Sequence, residues 1–372
     1  MSCRRSARGT CAVLLAMTLA LSESASAQTP ETPVAEDRAA AAGTARQSDL
    51  GRSASLAVAH QVCFITQRHT VACNDALAGR GIDDTKTTPW KTVPGLLDIV
   101  TLSAGYGFIC ALSRQGSVRC WGDAPRDEHD HAEQPRRALF GDGKHRYYAR
   151  PQPLNRVDQQ VVAIAAAANS VCVRLADGTL QCMNETYLNR SHPQDDGRQV
   201  GTLSIVDGGA CLLDKLGRVE CKVCGEEVGC SRWSRIKGFA GSVAKMSITC
   251  GGECVPQVAG LTRNGKLQLC SLRGDLASCP ELPQVPTRLA QIHGSCARTT
   301  AGQIYCWGGR PNRDGSERAQ QIPLPEPATE LSVGSGTICM RLRSRKLACL
   351  LWNPLLGRVT KPVEIVIPPS TL

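Results

Sequence analysis

The sequence is poor in aromatic residues and charge, and it has no long apolar run beyond residue 30. Only 4% of its 372 residues are aromatic, too few for the stacking platforms of a single-strand nucleic-acid binder. No later apolar run approaches the roughly 20 residues that span a bilayer, which excludes an integral membrane protein. A hydrophobic content of 42% is too high for a disordered chain.

Motifs of catalysis are also missing. The sequence contains no HExxH, no GxSxG, no P-loop and no GxGxxG that opens a helix. The carboxylates show no pairing that would anchor glycosidase chemistry. We therefore expect no enzyme activity and no cofactor.

The N-terminus has the three parts of a secretory signal peptide. Arg4, Arg5 and Arg8 give a positive start, residues 11–21 are apolar, and residues 25–27 (ASA) form a small-residue cleavage site. Together these features predict export to the periplasm or to the outside of the cell.

The chain divides into three parts. We assign residues 1–27 to the signal peptide, 28–54 to a disordered linker rich in Ala, Thr, Pro and charge, and 55–372 to the folded domain. Cleavage would leave 18 of the 20 cysteines, and so many in an exported chain indicate disulfides.

Six cysteine pairs share one spacing, with nine residues between the partners. In four copies a glycine lies six residues after the first cysteine, as the last residue of a three-residue hairpin turn that requires positive φ. The two cysteines of such a hairpin lie opposite each other, within reach of a disulfide. The predicted pairs are Cys63–Cys73, Cys110–Cys120, Cys172–Cys182, Cys211–Cys221, Cys296–Cys306 and Cys339–Cys349.

A seventh copy, AGLTRNGKLQL (259–269), has lost both cysteines together, as a bonded pair would. Seven copies over residues 55–372 give about 45 residues each, the usual length of a four-stranded propeller blade. The fold class is therefore all-β, a seven-bladed β-propeller of four-stranded antiparallel blades. We expect a last strand, Val363–Ile367, to complete the blade of Cys63 and Cys73 and so to close the ring.

Two copies carry a recognisable motif, SAGYGFICALSRQGSVRCWGD (103–123) and HGSCARTTAGQIYCWGG (293–309). They resemble the regulator-of-chromosome-condensation repeat in its bacterial secreted, disulfide-containing form. The resemblance implies a seven-bladed propeller, in agreement with the seven copies. It also implies one possible activity, because some secreted bacterial relatives bind and block β-lactamases.

Two further groups of residues have ambiguous roles. His129 and His131, flanked by acidic residues, could bind a divalent metal, but an exposed polar loop has the same composition and we expect no metal. The pairing of the remaining cysteines stays open, with the local pairs 224/230, 250/254 and 270/279 as one of fifteen connectivities. These cysteines are Cys224, Cys230, Cys250, Cys254, Cys270 and Cys279.

Two places are candidates for binding. The connection 123–155 is longer than the others, and its Tyr147 and Tyr148 would offer large contact area at low entropic cost. The other candidate is Arg343, in a segment free of acidic residues, where alternating arginines would share one face of a strand and its turn.

We expect an exported, non-enzymatic propeller that acts as a scaffold or binding module through loops on one face. Its partner would be a protein or another macromolecule, without nucleic acid or integral membrane association, and the chain would be a monomer. Three alternatives stay open: an inhibitor of a secreted or periplasmic enzyme, a structural envelope-associated repeat protein, and an enzyme with an unrecognised site in the central channel.

Peptide mapping without reduction tests the register of the hairpins. We expect Cys110 to be linked to Cys120 and Cys296 to Cys306, because each pair closes its own hairpin. A free thiol at any of these positions, or a bond between two copies, would overturn the assignment. Loss of one bond should lower the free energy of unfolding by about 2.5–3 kcal/mol without changing the fold.

Overall fold

In the computed structural model, the described residues form β-strands, turns and connections. None of them belongs to a helix long and apolar enough to span a membrane. The described residues are 55–75, 89–124, 139–142, 145, 147–155, 157–167, 169–183, 200–206, 209–225, 229–230, 233–250, 256–272, 279–282, 285–286, 288–308, 319–334, 336–353, 358–359, 362–365 and 367.

The strands of these residues make seven antiparallel sheets, which we call blades 1 to 7 in chain order. Blade 1 consists of β1 (Leu56–Val58), β2 (Val62–Ile65), β3 (Val71–Asn74) and β4 (Lys91–Thr92). Blade 2 consists of β5 (Ile99–Ala104), β6 (Phe108–Ser113), β7 (Val118–Asp123) and β8 (Tyr147–Pro153). Blade 3 consists of β9 (Val161–Ala167), β10 (Ser170–Leu175) and β11 (Leu180–Met183). Blade 4 consists of β12 (Val200–Val206), β13 (Gly209–Asp214), β14 (Val219–Gly225), β15 (Gly229–Cys230) and β16 (Ser234–Arg235). Blade 5 consists of β17 (Val243–Cys250), β18 (Pro256–Thr262) and β19 (Leu267–Ser271). Blade 6 consists of β20 (Leu289–His293), β21 (Cys296–Thr299), β22 (Ile304–Trp307) and β23 (Ala319–Ile322). Blade 7 consists of β24 (Ala328–Gly334), β25 (Thr337–Leu342), β26 (Leu347–Asn353), β27 (Arg358–Val359) and β28 (Val363–Ile365).

The blades form a closed ring. The first strand of each blade contacts the first strand of the next, through β1, β5, β9, β12, β17, β20 and β24, and β24 contacts β1 again. The seven-bladed propeller predicted from the repeat is confirmed.

The hydrophobic core is divided among the contacts between blades. Each pair of neighbouring blades encloses one cluster of buried side chains in the described residues. One example is the cluster between blades 1 and 2, which contains Ala57 and Ala59 of blade 1 and Trp121 of blade 2. Aliphatic side chains and half-cystines fill most of these layers, in keeping with the low aromatic content.

The six predicted hairpin disulfides are confirmed. In each, the two cysteines are direct cross-strand partners with Cα atoms 4.0–4.1 Å apart, close to the spacing of a non-hydrogen-bonded pair. In blade 5, Ala259 lies opposite Leu269 in the same register. There the Cys270–Cys279 disulfide, one of the local pairs considered, joins β19 to the segment that follows. The backbone of Cys224 is paired with that of Cys230.

In the described residues, the hairpin turns of four blades are hydrogen-bonded to the start of the next blade. The predicted glycine of the turn takes φ between +83° and +92° in blades 2 to 6, and His69 (56°) and Arg345 (69°) take this position in blades 1 and 7. The carbonyl of the turn residue accepts a hydrogen bond from the N–H that starts the next blade. Such bonds are His69 O from Ile99 N (2.9 Å), Gly116 O from Val161 N (3.1 Å), Gly217 O from Val243 N (2.9 Å) and Gly302 O from Ala328 N (2.9 Å).

A second link lies near the centre of the ring. In the first strand, the residue paired with the first cysteine position of the hairpin has a side chain that accepts a hydrogen bond from the next blade. The donor is a backbone N–H of that blade's first strand or, for Gly294, of the residue just after it. The four such bonds in the described residues are Ala166 N to Ser103 Oγ (2.8 Å), Ile248 N to Ser204 Oγ (3.1 Å), Gly294 N to Ser247 Oγ (2.8 Å) and Val333 N to His293 Nδ1 (2.7 Å).

The prediction for ring closure is wrong. The last strand, β28, pairs with β26 as an outer strand of blade 7, with Val363 opposite Cys349, and does not complete the blade of Cys63 and Cys73. Blade 1 takes its first strand from residues 56–58, which pair with β2. The apolar segment upstream of the first hairpin therefore already fills the position that we assigned to the C-terminus.

Side chains close the ring between blades 7 and 1. Glu330 of β24 accepts hydrogen bonds from the N–H and the hydroxyl of Ser55, at 2.8 and 2.5 Å. Arg341 lies 3.7 Å from the same carboxylate and 5.1 Å from the ring centroid of Phe64, across the interface. Ile367 is buried in the cluster that joins these two blades.

Glu330→Ala tests this closure. The variant leaves the Arg341 guanidinium, which is only 21% exposed, without its ion pair, and leaves the Ser55 N–H without its acceptor. We expect the free energy of unfolding in urea to fall by about 2–3 kcal/mol. Glu364→Ala is the control, because Glu364 forms an exposed pair with Lys346 on the same blade and its loss should cost less than about 1 kcal/mol. Equal losses for the two variants would contradict the closure by Glu330.

His293 predicts a dependence of stability on pH. Burial lowers the pKa of His293 from 6.5 to about 4, and its Nδ1 can accept from Val333 only while that nitrogen is unprotonated. The unfolded chain therefore binds more protons between these values, so stability falls as pH drops through this range, by up to about 3 kcal/mol.

His293→Ser supplies the matched comparison, because serine accepts the equivalent bond at Ser103, Ser204 and Ser247. Unfolding in urea between about pH 4 and pH 7 should show a smaller loss of stability for this variant than for the unmodified chain. Parallel pH profiles would contradict the role of His293.

Candidate functional site

The antiparallel order of the strands decides which loops share a face. In every blade the chain leaves the first and third strands at one face, the loop face, and turns from the second to the third strand at the opposite face, the turn face. Five residues lie together on the loop face where blades 1 and 2 meet. We call His60, Asp75, Tyr106, Asp123 and Tyr147 the blade 1–2 patch.

Two glycines place the backbone under this patch. Gly122 has φ of +103°, and a Cβ there would lie 2.3 Å from the carbonyl oxygen of Gly107. This close approach lets Asp123 N donate to Gly107 O at 3.0 Å. The preceding Trp121 is buried, and its Nε1 lies 3.4 Å from Gln61 Oε1. Within the Cys-Trp-Gly motif, the Trp121 side chain is thus anchored in the core, and Gly122 lets the backbone turn so that Asp123 lies in the patch.

Polar contacts hold the patch across the two blades. His60 Nδ1 lies 3.4 Å from Asp123 Oδ2, and the His60 ring meets Tyr106 edge-on at a centroid distance of 5.4 Å. Gln61 Nε2 donates to Asp75 Oδ1 at 2.7 Å. His60 and Gln61 of blade 1 thereby contact a carboxylate on each side of the junction, Asp123 in blade 2 and Asp75 in blade 1.

The tyrosines of the patch are accessible. Tyr106 is 61% exposed and Tyr147 is 54% exposed. Partial burial, followed by the charges of Asp75 and Asp123, raises the pKa of Tyr147 above its ordinary value of 10.0. Two aromatic rings beside two carboxylates can bind a cationic or aromatic side chain of a partner.

The two tyrosines predicted as anchors have different environments. Tyr148 is only 8% exposed, packs on Phe140 at a centroid distance of 5.7 Å and donates from its hydroxyl to Asp142 Oδ1 at 2.6 Å. Alternation along β8 turns Tyr148 into the blade and Tyr147 outward. Contact area for a partner is therefore available at Tyr147.

Arg341 and Arg343 have different environments. β25 ends at Leu342, so Arg343 lies in the turn, exposed on the turn face, opposite the blade 1–2 patch. Arg341, still on the strand, is drawn towards Glu330 and Phe64. Of the predicted arginines on a strand and its turn, Arg343 and Arg345 are therefore the two that are exposed in the turn.

The weak metal candidates His129 and His131 lie outside the described residues. The residues that are described hold no group of three or more His, Cys, Asp and Glu side chains suited to a metal ion.

Sequence reasoning missed three members of the patch: His60, Asp75 and Tyr106. One signal was available for Tyr106, which lies between Gly105 and Gly107 in the loop that ends the first strand of its repeat. His60 and Asp75 lie in blade 1, and their proximity to Asp123 depends on how two blades pack.

Residues 99–124 match the family model for the "Regulator of chromosome condensation (RCC1) repeat". This match covers the first three strands of blade 2, including Cys110, Cys120 and the Cys-Trp-Gly motif. No curated protein has significant sequence similarity to the chain.

Solved structures share the fold at low sequence identity. Human WBSCR16 is 15% identical with a TM-score of 0.54, over 75% of this chain and 84% of that protein. Prp20p from Saccharomyces cerevisiae is 15% identical with a TM-score of 0.52, over 73% and 78% of the two chains. The CRINKLY WD40 ectodomain of the Arabidopsis thaliana receptor kinase ACR4 is 16% identical with a TM-score of 0.52, over 81% and 98%.

The repeat match in blade 2, the ring of seven sheets and the disulfide in hairpin after hairpin agree with one another. The chain is a disulfide-containing seven-bladed β-propeller, and its second blade matches the RCC1 repeat.

Proposed function

We propose that the protein is an exported, non-enzymatic binding module whose partner is another protein that contacts the blade 1–2 patch. One observation carries this proposal. Tyr106 and Tyr147 are the exposed aromatic side chains of the described residues, and both lie on the loop face at one blade junction. Exposed tyrosines that lie together on a rigid scaffold are typical of binding hot spots.

The chemistry of the patch favours a basic segment on the partner. Asp75 and Asp123 provide negative charge, and the tyrosine rings provide faces for a guanidinium or ammonium group.

Export is supported by the sequence and by the disulfides. Residues 1–27 have the pattern of a signal peptide, and we propose that 28–54 link it to the propeller of 55–372. Seven disulfides in the described residues suit an oxidising compartment, either the periplasm or the outside of the cell.

Related propellers support a protein partner at the level of the fold. The study of Prp20p concerns its binding to Gsp1p and histones, and another describes yeast RCC1 (Prp20) bound by Kap60. A propeller of this shape can therefore present surfaces to other proteins, although its fold alone does not choose the partner.

Paired variants test the site. The unmodified chain, purified from its native compartment with its partners bound, provides the interaction to be measured. Tyr106→Ala combined with Tyr147→Ala should weaken binding of the recovered partner by at least about 2 kcal/mol, or roughly thirtyfold in Kd, because it removes both exposed rings. Calorimetry or surface plasmon resonance measures the change.

Arg343→Ala is the control on the opposite face, and we expect it to leave the affinity unchanged. Tyr148→Ala is unsuitable, because it would remove a buried ring from the core of blade 2. Loss of binding with Arg343→Ala but not with the tyrosine variant would move the site to the turn face. Catalytic turnover that a single substitution abolishes would refute the non-enzymatic function.

A further inference from the structure

The turn face carries a set of cations that the proposed protein site does not use. They lie in the hairpin turns of blades 4, 5 and 7 and in the connections that enter blades 5 and 6. Hydrogen bonds place these elements together: Thr300 N donates to Arg288 O at 2.9 Å, and Arg263 Nη2 donates to Lys215 O at 3.3 Å. We call Lys215, Lys237, Arg263, Arg288, Arg343 and Arg345 the basic arc.

The basic arc is not neutralised locally. All six side chains are exposed, and none forms an ion pair within the described part of the chain. Nearby acidic residues have other partners: Asp214 pairs with Arg218, Glu281 with Lys266 and Glu364 with Lys346. Glu326 accepts hydrogen bonds from Ser344.

The same face has acidic residues in another sector. Asp98, Asp158 and Asp177 lie in the turn and connections of blades 2 and 3, where Arg114 is the exposed cation of the hairpin turn. The positive charge of the turn face is therefore concentrated over blades 4 to 7, and the face is unevenly charged.

Two leucines protrude from the turn face. Leu97, in the connection to blade 2, is 71% exposed, and Leu216, in the hairpin turn of blade 4, is 65% exposed. They are the most exposed aliphatic side chains among the described residues. Leu216 directly follows Lys215 of the basic arc, so an apolar tip and a cation lie together at one turn.

We propose that the turn face docks the propeller on an anionic membrane surface. Seven hairpin turns lie at the same end of the ring, so the cations are presented to one side, as a bilayer surface requires. Juxtamembrane cations bind anionic headgroups by additive electrostatic attraction, which weakens over a Debye length.

The leucines favour a membrane over a soluble polyanion. A sulfated polysaccharide or a nucleic acid would gain little from an exposed leucine, whereas a bilayer accepts apolar side chains at its interface. Docking would be peripheral and reversible, and the loop face with its blade 1–2 patch would point away from the surface. The proposal does not depend on the protein partner.

Co-sedimentation with lipid vesicles tests docking. The full folded chain should bind vesicles of phosphatidylcholine with about one third phosphatidylglycerol, should not bind vesicles of phosphatidylcholine alone, and should be released as salt rises above about 0.1 M. Arg263→Glu with Arg343→Glu should weaken binding at least about tenfold, because each charge reversal replaces attraction with repulsion.

Arg119→Glu with Arg150→Glu is the matched control, since it makes the same charge change at exposed positions on the outer strands of blade 2. We expect this control to retain most of the binding. Equal loss in both double variants would show that only net charge matters and would overturn the assignment to the turn face. Near-ultraviolet circular dichroism and thermal melts of all variants verify that the propeller is folded.

Leu97→Ser with Leu216→Ser separates a membrane from a soluble polyanion. The variant should weaken vesicle binding severalfold while the retention on a heparin column stays unchanged, because heparin reads charge alone. Binding to heparin without binding to anionic vesicles would overturn the membrane proposal, as would vesicle binding that the leucine variant leaves unchanged.

Discussion

The contact between the first strands of neighbouring blades is the interaction on which this ring depends. Each first strand is the edge strand of its sheet, with a backbone partner on one side only, and among the described residues no two first strands pair with each other. A side chain instead reaches across, as Ser103 Oγ does to Ala166 N and His293 Nδ1 does to Val333 N. At the turn face the hairpin turn makes a second link, in which its carbonyl accepts a hydrogen bond from the N–H that begins the next blade.

These links explain why disulfides suit this chain. A propeller with 4% aromatic residues has few large side chains for the layers between blades, and buried half-cystines occupy part of that space. Each hairpin disulfide also fixes the register of its two strands, and a shift by one residue would turn every side chain of the strand to the wrong layer. Covalent register thus protects the alignment of the side chains that join one blade to the next.

Much of the fold could be predicted from the sequence because the repeat is local. The spacing from Cys110 to Cys120, with Gly116 between them, defines a hairpin without information from the rest of the chain. Ring closure could not be predicted in this way. Both the segment before Cys63 and the segment after Cys349 are apolar, and only packing between blades shows that the first becomes β1 and the second pairs with β26.

The candidate site was less accessible to such reasoning. Tyr147 was found because it lies in a long connection, but Tyr148 differs from it only by the alternation of a strand that the sequence does not mark clearly. Gly107 and Gly122 approach each other within blade 2 and set the backbone at Asp123, but His60 comes from blade 1 and reaches Asp123 through the packing of two blades. The glycines reveal the close approach inside one blade, but not which side chain of the next blade lies beside it.

The antiparallel blade gives the two faces different chemistry. Loops after the first and third strands bring aromatic and acidic groups to one face, whereas the hairpin turns bring cations and leucines to the other. The same strands of each blade separate the two faces. What docking on the turn face can change is orientation: it would hold the loop face towards the surrounding solvent and limit the directions from which a protein partner can approach.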